Sequence, residues 1–495
     1  MTVYKTSSLP AKGDGPAIAP PPIWWVVTQI VALAFHVPLS VFAGGIGAII
    51  DTEDSLLIAL AVSLCGLLVY IVLKLVSGRA WQSLMGTSAL LIGFWHWSAS
   101  ETSGTILRLV WVALIVAAAA RFADARRFRV AVLAVATTLA VTPLLQIAIK
   151  AYGPAPEIAS EFDAFPGEPE VLPDIYFLLL DAYGNSNVLS NIYGFDNEPF
   201  LTDLERRGFD VSRSATADYT YTHASIPSML NMEYLAGTDL SQNPQSLDRL
   251  ISAVAGDNRV VTWLKDLGYT YIHGETFDGT NDCGPNVDTC LPSPSWDHTV
   301  EYLLGRTPVW PLLFPIHGSP ATAFNAVRIE QMSQWEEWDA TSDEPVFVFL
   351  HLLLPHPPYF LDADCATRVL EELGGHSSDR GLSADVIAAR RAGYIQQVEC
   401  ANRVVTQFID QIDPDSMVVL VGDHGPESFG QLKIDGSEWS EIEVYERAGA
   451  LAAIRGPAGC EIDLPDDHHL VNTFRIALSC LTPSPIPLLP HLGSP

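Results

Sequence analysis

The chain has 495 residues and a formal net charge of -30, with 17% charged and 48% hydrophobic residues. That apolar content excludes a disordered chain, and an acidic surface repels phosphate at long range, so nucleic acid is excluded as a partner. The charge is also unevenly spread: residues 1–150 hold ten of the 27 Lys and Arg and six of the 57 Asp and Glu, leaving 17 basic and 51 acidic residues in the rest.

The first part reads as a membrane piece, residues 1–150. Uncharged stretches run over Gly15–Ile50, Ser55–Leu73, Ala80–Ser100 and Val130–Ile149, and Ile106–Ala120 is interrupted only by Arg108. Each is near the ~20 residues that cross a bilayer core. They predict five transmembrane helices, at about 24–48, 56–76, 81–99, 104–121 and 129–149. Lys5 and Lys12, then Lys74 and Arg79, then Arg121, Arg126, Arg127 and Arg129 mark alternate loops, whereas Asp51–Asp54 and Ser100–Ser103 carry no Lys or Arg. The positive-inside bias therefore predicts a multi-pass plasma (inner) membrane protein with a cytoplasmic N-terminus and everything after the fifth helix outside, periplasmic or extracellular. The first helix lacks a small-residue cleavage site and reads as an uncleaved anchor.

Residues 151–173 are rich in Pro and acidic residues and read as a linker along the membrane surface. From Asp174, which reads only as a strand start, apolar runs alternate with helical patterns, the signature of an α/β domain over 174–495. Ile175–Leu180 leads into Asp181, Val346–Leu350 into His351 and His356, and Met417–Val421 into Gly422-Asp423-His424-Gly425. Ligands of open α/β sheets gather beyond the carboxyl ends of strands, and here three such ends present metal-ligand chemistry. Glu198–Arg207 and Asp385–Ile412 have helical spacing. The hydroxyl-rich run Tyr219–Met229 turns helical, with Pro227 expected in the first turn of the helix so that its N–H groups open near Thr222.

Two carboxylates, an imidazole and a hydroxyl suit zinc or manganese and are poor for copper(I) or an iron–sulfur cluster. A divalent ion lowers the pKa of a coordinated hydroxyl, which makes Thr222 a candidate nucleophile rather than a capping hydroxyl. Asp423-His424 is the more specific signal, because a strand ending Gly-Asp-His-Gly sets adjacent ligands on a tight turn. His351 reads equally well as a ligand-side residue or a core histidine bonded to a backbone carbonyl. His223, His468 and His469 read as solvated. Cys65 lies in the second helix, and the other six cysteines all follow residue 150, in a compartment read as oxidising. Three disulfides are expected, with nearest-neighbour pairs Cys283–Cys290, Cys365–Cys400 and Cys460–Cys480 among the fifteen pairings six cysteines allow.

With these residues in view, the chain resembles the membrane-anchored phosphotransferase branch of the alkaline phosphatase and sulfatase superfamily, including lipid A phosphoethanolamine transferases and lipoteichoic acid synthases. The resemblance rests on Thr222-His-Ala-Ser225-Ile-Pro227-Ser-Met229, Gly422-Asp423-His424-Gly425-Pro-Glu-Ser and Leu350-His351 through His356-Pro-Pro, and covers nearly the whole chain. It implies five transmembrane α-helices followed by an extracytoplasmic alkaline-phosphatase-like α/β domain with a mixed, mostly parallel sheet between helices. It implies one divalent metal, Zn or Mn, held by Asp181, Thr222, Asp423 and His424. His356 and His351 take substrate-binding positions, and Thr222 that of the nucleophile. The activity implied is transfer of a phosphoethanolamine or phosphoglycerol head group from a phospholipid donor, through a phospho-Thr intermediate, to an envelope glycan or lipid acceptor.

The chain departs from the sulfatase pattern at two points. Ala182 follows Asp181 where sulfatases have a second acid, and Met229 stands where their Arg belongs, which argues against a formylglycine sulfatase. No His follows His424 before His468, so one metal rather than two is expected. Two other readings share the pattern: a membrane-anchored phosphodiesterase or phosphatase with water as acceptor, and an inactive envelope scaffold. The complete ligand set speaks against the scaffold. The acidity is read as colloidal solubility rather than substrate attraction.

Overall fold

The computed structural model describes residues 19–43, 52–96, 121, 126–152, 164–235, 244–276, 283–292, 298–305, 307–309, 312–313, 320–338, 344–368, 382–430 and 439–491. The chain divides into two compact units, one of Met1–Gly153 with His298–Leu313 and the other of Pro154–Asp297 with Phe314–Pro495.

In the first unit the uncharged stretches form α1 (Ile23–Ala43), α2 (Thr52–Ser77), α3 (Ala80–Trp95) and α4 (Arg126–Tyr152). Among the described residues three spans are long and apolar enough to cross a membrane, Ile23–Val41, Glu53–Ser77 and Arg129–Ala148. At 16 residues α3 falls short of the ~20 a span needs. The fourth expected helix, 104–121, lies almost wholly outside the described residues. Val26, Ile30 and Leu33 of α1 form a seam with Leu84, Met85 and Leu91 of α3. Gln29 Nε2 donates to Ser88 Oγ at 2.7 Å inside it, giving that donor a partner where no water is at hand. Leu57, Leu64, Leu68 and Leu75 of α2 are exposed, as side chains facing lipid are. The short helix His298–Leu304 packs on α2 within this unit, a placement its position late in the chain does not show.

The second unit is built on seven strands: β1 (Ile175–Leu180), β2 (Asp210–Ser212), β3 (Thr270–Gly274), β4 (Thr289–Leu291), β5 (Val346–Leu352), β6 (Met417–Gly422) and β7 (Ala452–Arg455). Their order is β2-β7-β6-β1-β5-β3-β4. β6, β1, β5, β3 and β4 run parallel, while β7 is antiparallel to both β6 and β2. The expected mixed, mostly parallel sheet is thus present. β1, β5 and β6 are buried along their whole length, which explains why they read as unbroken apolar runs. Tyr176, Leu178 and Leu180 face one layer, with Tyr394, Val398 and Phe408 of the helix Ala384–Ile409. Ile175, Phe177 and Leu179 face the other, with Ile226 and Met229 of the helix Thr222–Asn231. Helices therefore cover both sheet faces.

Register then sets the site. Leu180 pairs with Gly422 and Leu179 with His351, so the carboxyl ends of β6, β1 and β5 finish level. The three disulfides are Cys283–Cys290, Cys365–Cys400 and Cys460–Cys480, the nearest-neighbour pairs.

Candidate active site

Each chain turn beyond these strand ends is sharply made. After Asp181 the backbone of Ala182 takes a left-handed conformation, φ 62°, which costs a non-glycine residue ~1 kcal/mol or more and turns the chain sharply at the end of β1. Tyr394 Oη holds the bend, donating to Ala182 O at 2.9 Å and accepting from Gly184 N at 3.0 Å. At the end of β6 the backbone passes so close to its neighbours that a Cβ on Gly422 would lie 2.4 Å from Tyr183 O, and one on Gly425 2.0 Å from Glu446 O. Only glycine fits either place.

These turns bring Asp181, Asp423 and His424 together, all buried, with one ligand atom from each within 4.8 Å of the others. Thr222 arrives from the opposite layer as the first residue of its helix, with Tyr221 as N-cap. Its Oγ1 donates to Asp423 Oδ2 at 2.6 Å and stands 3.2 Å from His424 Nε2. Asp423 Oδ1 accepts from Ala182 N and His424 N, both at 2.9 Å, which fixes the carboxylate plane. His424 Nδ1 lies 3.1 Å from Gly425 O, a geometry in which Nδ1 carries the proton and Nε2 presents a lone pair toward Thr222.

The electrostatics favour a cation here. Burial pushes the Asp423 carboxyl up to about 7, and the Asp181 carboxylate beside it adds to the rise. Burial also opposes ionisation of Asp181, but the neighbouring His356 and His351 outweigh it and hold that carboxyl well below the usual range. Burial, with the Arg447 charge, holds His424 neutral at ordinary pH. Two buried carboxylates this close resist carrying two charges unless something positive joins them. Asp181 Oδ1 is buried and has no hydrogen-bond donor among the described residues, an orphaned acceptor that a metal ion would satisfy. The donor set of carboxylate, imidazole and hydroxyl fits Zn or Mn.

His351 sits inside β5, and its Nε2 lies 3.5 Å from Asp181 Oδ2. Neither of its ring nitrogens has a hydrogen-bond partner among the described residues, which removes the core-histidine reading. His356 lies on the following loop, which buried residues hold from below. Arg328 Nε donates to Leu353 O at 2.6 Å and its NH2 to His356 O, while Gln397 Nε2 donates to His356 O at 3.0 Å.

Three expectations change. The helix opens at Thr222 as expected, with Tyr221 O accepting from Ala224 N at 3.0 Å and Ser225 N at 2.9 Å, but Pro227 lies inside the helix rather than in its first turn. His468 is buried and bonded to Thr473 Oγ1 at 2.9 Å rather than solvated. His469 is bonded to Asp218 at 3.0 Å. Met229 is buried in the core against the sheet, so no guanidinium reaches the site from that position. One arrives instead from the helix Glu441–Ala448: Arg447 is buried, with NH2 3.0 Å from His424 Nε2, NH1 donating to Gly425 O at 3.1 Å and Nε to Thr220 O at 2.9 Å. Nothing in the acidic run Glu441-Ile-Glu-Val-Tyr-Glu-Arg447 marks that Arg as a site residue.

Comparison with known proteins follows from this geometry. The family model described as Sulfatase matches residues 173–474. No curated protein matches the chain. Among solved structures, the chain is similar to the integral membrane protein lipooligosaccharide phosphoethanolamine transferase A from Neisseria meningitidis, at 12% identity and TM-score 0.43, covering 92% of this chain and 95% of that one. It is similar to the C-terminal periplasmic domain of EcEptC from Escherichia coli in complex with Zn, at 12% identity and TM-score 0.39, covering 65% and 91%. It is also similar to the phosphonate monoester hydrolase of Agrobacterium radiobacter, at 14% identity and TM-score 0.38, covering 62% and 73%.

Proposed function

Because the chain belongs to the sulfatase family, we propose that it is an integral membrane, metal-dependent phosphotransferase that moves a phospholipid head group onto an envelope acceptor. The observation that carries this reading is the Thr222 hydroxyl, seated at a helix N-terminus and bonded at 2.6 Å to Asp423 beside His424. A hydroxyl in that position is a nucleophile rather than a cap, and the helix dipole favours negative charge developing next to it. Asp181, Thr222, Asp423 and His424 would hold one Zn or Mn, which when bound acts as a Lewis acid toward the hydroxyl and a phosphoryl oxygen.

In the first displacement Thr222 Oγ1 attacks phosphorus. The new Oγ1–P bond replaces the bond from phosphorus to the diacylglycerol oxygen. The proton lost from Oγ1, which points at Asp423 Oδ2 in this structure, is matched by the one the departing diacylglycerol oxygen gains. In the second displacement an acceptor hydroxyl attacks the phospho-Thr, loses its proton and restores the Thr222 hydroxyl. Arg447, whose guanidinium reaches His424 Nε2, clamps a phosphoryl oxygen as charge develops. His351 and His356 bind the phosphate or head group from the β5 side. The head group is phosphoethanolamine or phosphoglycerol, and the acceptor is an envelope glycan or lipid.

The rest of the reading follows from charge and hydropathy. Five helices anchor the protein in the plasma membrane with the N-terminus cytoplasmic, residues 151–173 link them to the catalytic domain, and 174–495 work outside. The test is full-length protein reconstituted with phosphatidylethanolamine or phosphatidylglycerol, with diacylglycerol release and head-group transfer followed with and without an acceptor lipid. Head group appearing covalently on the acceptor is the expected result. Release of free head group, unchanged by the acceptor, would instead make the protein a phosphodiesterase. No release from either lipid would count against both.

A further inference from the structure

A second set of metal-ligating side chains lies outside the site just described. Asp218 is on the loop leading to Thr222, His469 follows the buried His468, and His491 lies near the end of the described chain. One ligand atom from each lies within 4.8 Å of the others.

The convergence is built by the backbone, not by the side chains themselves. Thr216 N donates to His468 O at 2.8 Å and Leu470 N to Thr216 O at 3.1 Å, which locks the His469 segment beside the Asp218 loop. The Leu489 segment is tied in turn by Asn472, through Leu489 N to Asn472 Oδ1 at 2.8 Å and Asn472 Nδ2 to Leu489 O at 3.1 Å. Tyr234 Oη donates to Pro490 O at 3.1 Å from the other side. Three separate segments are thus held in register, and each offers one donor to the same point.

The Asp218 side chain is 5% exposed, and its ion pair among the described residues is with His469 Nδ1 at 3.0 Å. Val471 N donates to its other oxygen at 2.8 Å. The His469 and His491 rings stack with centroids 3.9 Å apart and 27° between planes. Each ring has one nitrogen with an in-plane lone pair when it carries a single proton, the donor type that zinc-class ions take. His491 is exposed, so the point is open to solvent and an ion can enter.

We infer that Asp218, His469 and His491 form a second metal site, taking a divalent transition-metal ion of the zinc class with an open position for water. Two histidines and one carboxylate suit Zn, Mn, Co or Fe(II) and are poor for Ca or Mg. The site clips the chain around residue 491 to the loop that carries the nucleophile. It shares no residue with the Asp181, Asp423 and His424 cluster, so it stands or falls independently of the proposed function.

The test is metal content of the full-length protein, purified in detergent, loaded with Zn and freed of excess, measured alongside its variants. Wild type is expected to hold two Zn per chain. His491→Ala, a substitution at an exposed position, is expected to hold one and to keep phosphotransfer. Asp423→Ala is also expected to hold one, and the variant carrying both substitutions none. In the Asp423→Ala background, Zn is expected still to raise the melting temperature, and adding His491→Ala is expected to remove that shift. The inference is overturned if His491→Ala holds as much Zn as wild type, or if wild type holds a single Zn that Asp423→Ala removes.

Discussion

The two units use the same residue types in opposite ways. In α2, leucines at 57, 64, 68 and 75 point outward and stay exposed, while Gln29 of α1 and Ser88 of α3 are turned in and bonded to each other. In the sheet unit Leu178, Leu180, Leu350 and Leu420 are sealed inside, and the polar groups turned in are not all paired: Asp181 Oδ1 and both nitrogens of His351 lack a hydrogen-bond partner among the described residues. An outward leucine costs nothing when the solvent is lipid. A buried orphaned carboxylate oxygen costs ~1–3 kcal/mol or more wherever it is, and is tolerated where a ligand completes it. Unpartnered polar atoms also occur in the scaffold, at Gln29 Oε1, Ser55 Oγ and Ser416 Oγ; what marks the site is that Asp181 and His351 stand side by side at the strand ends with ligand-type atoms left over.

Substitutions sharpen that contrast, the largest effects first. Asp423→Ala removes a donor from the buried cluster, so the metal of that cluster is expected to be lost, leaving the one held by Asp218, His469 and His491, and turnover to fall ~10³-fold or more. Atomic absorption on the variant, set beside its activity, checks both; full metal content would remove Asp423 from the ligand set. Arg447→Ala takes away the guanidinium but no ligand. Turnover is expected to drop ~10²–10³-fold with metal retained and with kcat affected more than KM. An unchanged kcat would show that Arg447 only braces the Thr220 loop.

Stability should divide along the same line. Leu178→Ala in the centre of β1 is expected to cost ~2–5 kcal/mol, because the sealed core collapses poorly around a void. Breaking Cys365–Cys400, which closes a 35-residue separation, is expected to cost ~2–4 kcal/mol. Leu64→Ala on the outward face of α2 is expected to shift stability by ~0.5 kcal/mol or less. Denaturation of the three variants in matched detergent ranks them, and a Leu64→Ala cost equal to that of Leu178→Ala would mean that face is packed against protein.

How much of this the residues announced depends on range. β1, β5 and β6 were legible because full burial on both faces leaves an unbroken apolar run, and their polar ends stand out against it. Asp423-His424 was legible for the same reason, with glycines on both sides forced by close backbone approach. Thr222 stood out through its motif and its helix opens there, but Pro227 reads as a first-turn residue while Tyr221 O opens the helix well before it. Arg447, Arg328 and Gln397 were invisible, because each acts through contacts with residues at least 22 positions away in the chain. His469 read as solvated from its acidic neighbours, yet its partner Asp218 is 251 positions away. Local pattern reports what a segment buries, not what a distant segment brings to it.

The most direct measurement is diacylglycerol release by Thr222→Ala beside wild type, in the same lipid and at measured equal metal content. Three of the four proposed ligands remain in that variant, so metal is expected to stay bound while release falls to background. Release at the wild-type rate would contradict the covalent role of Thr222 and with it the mechanism proposed for this chain.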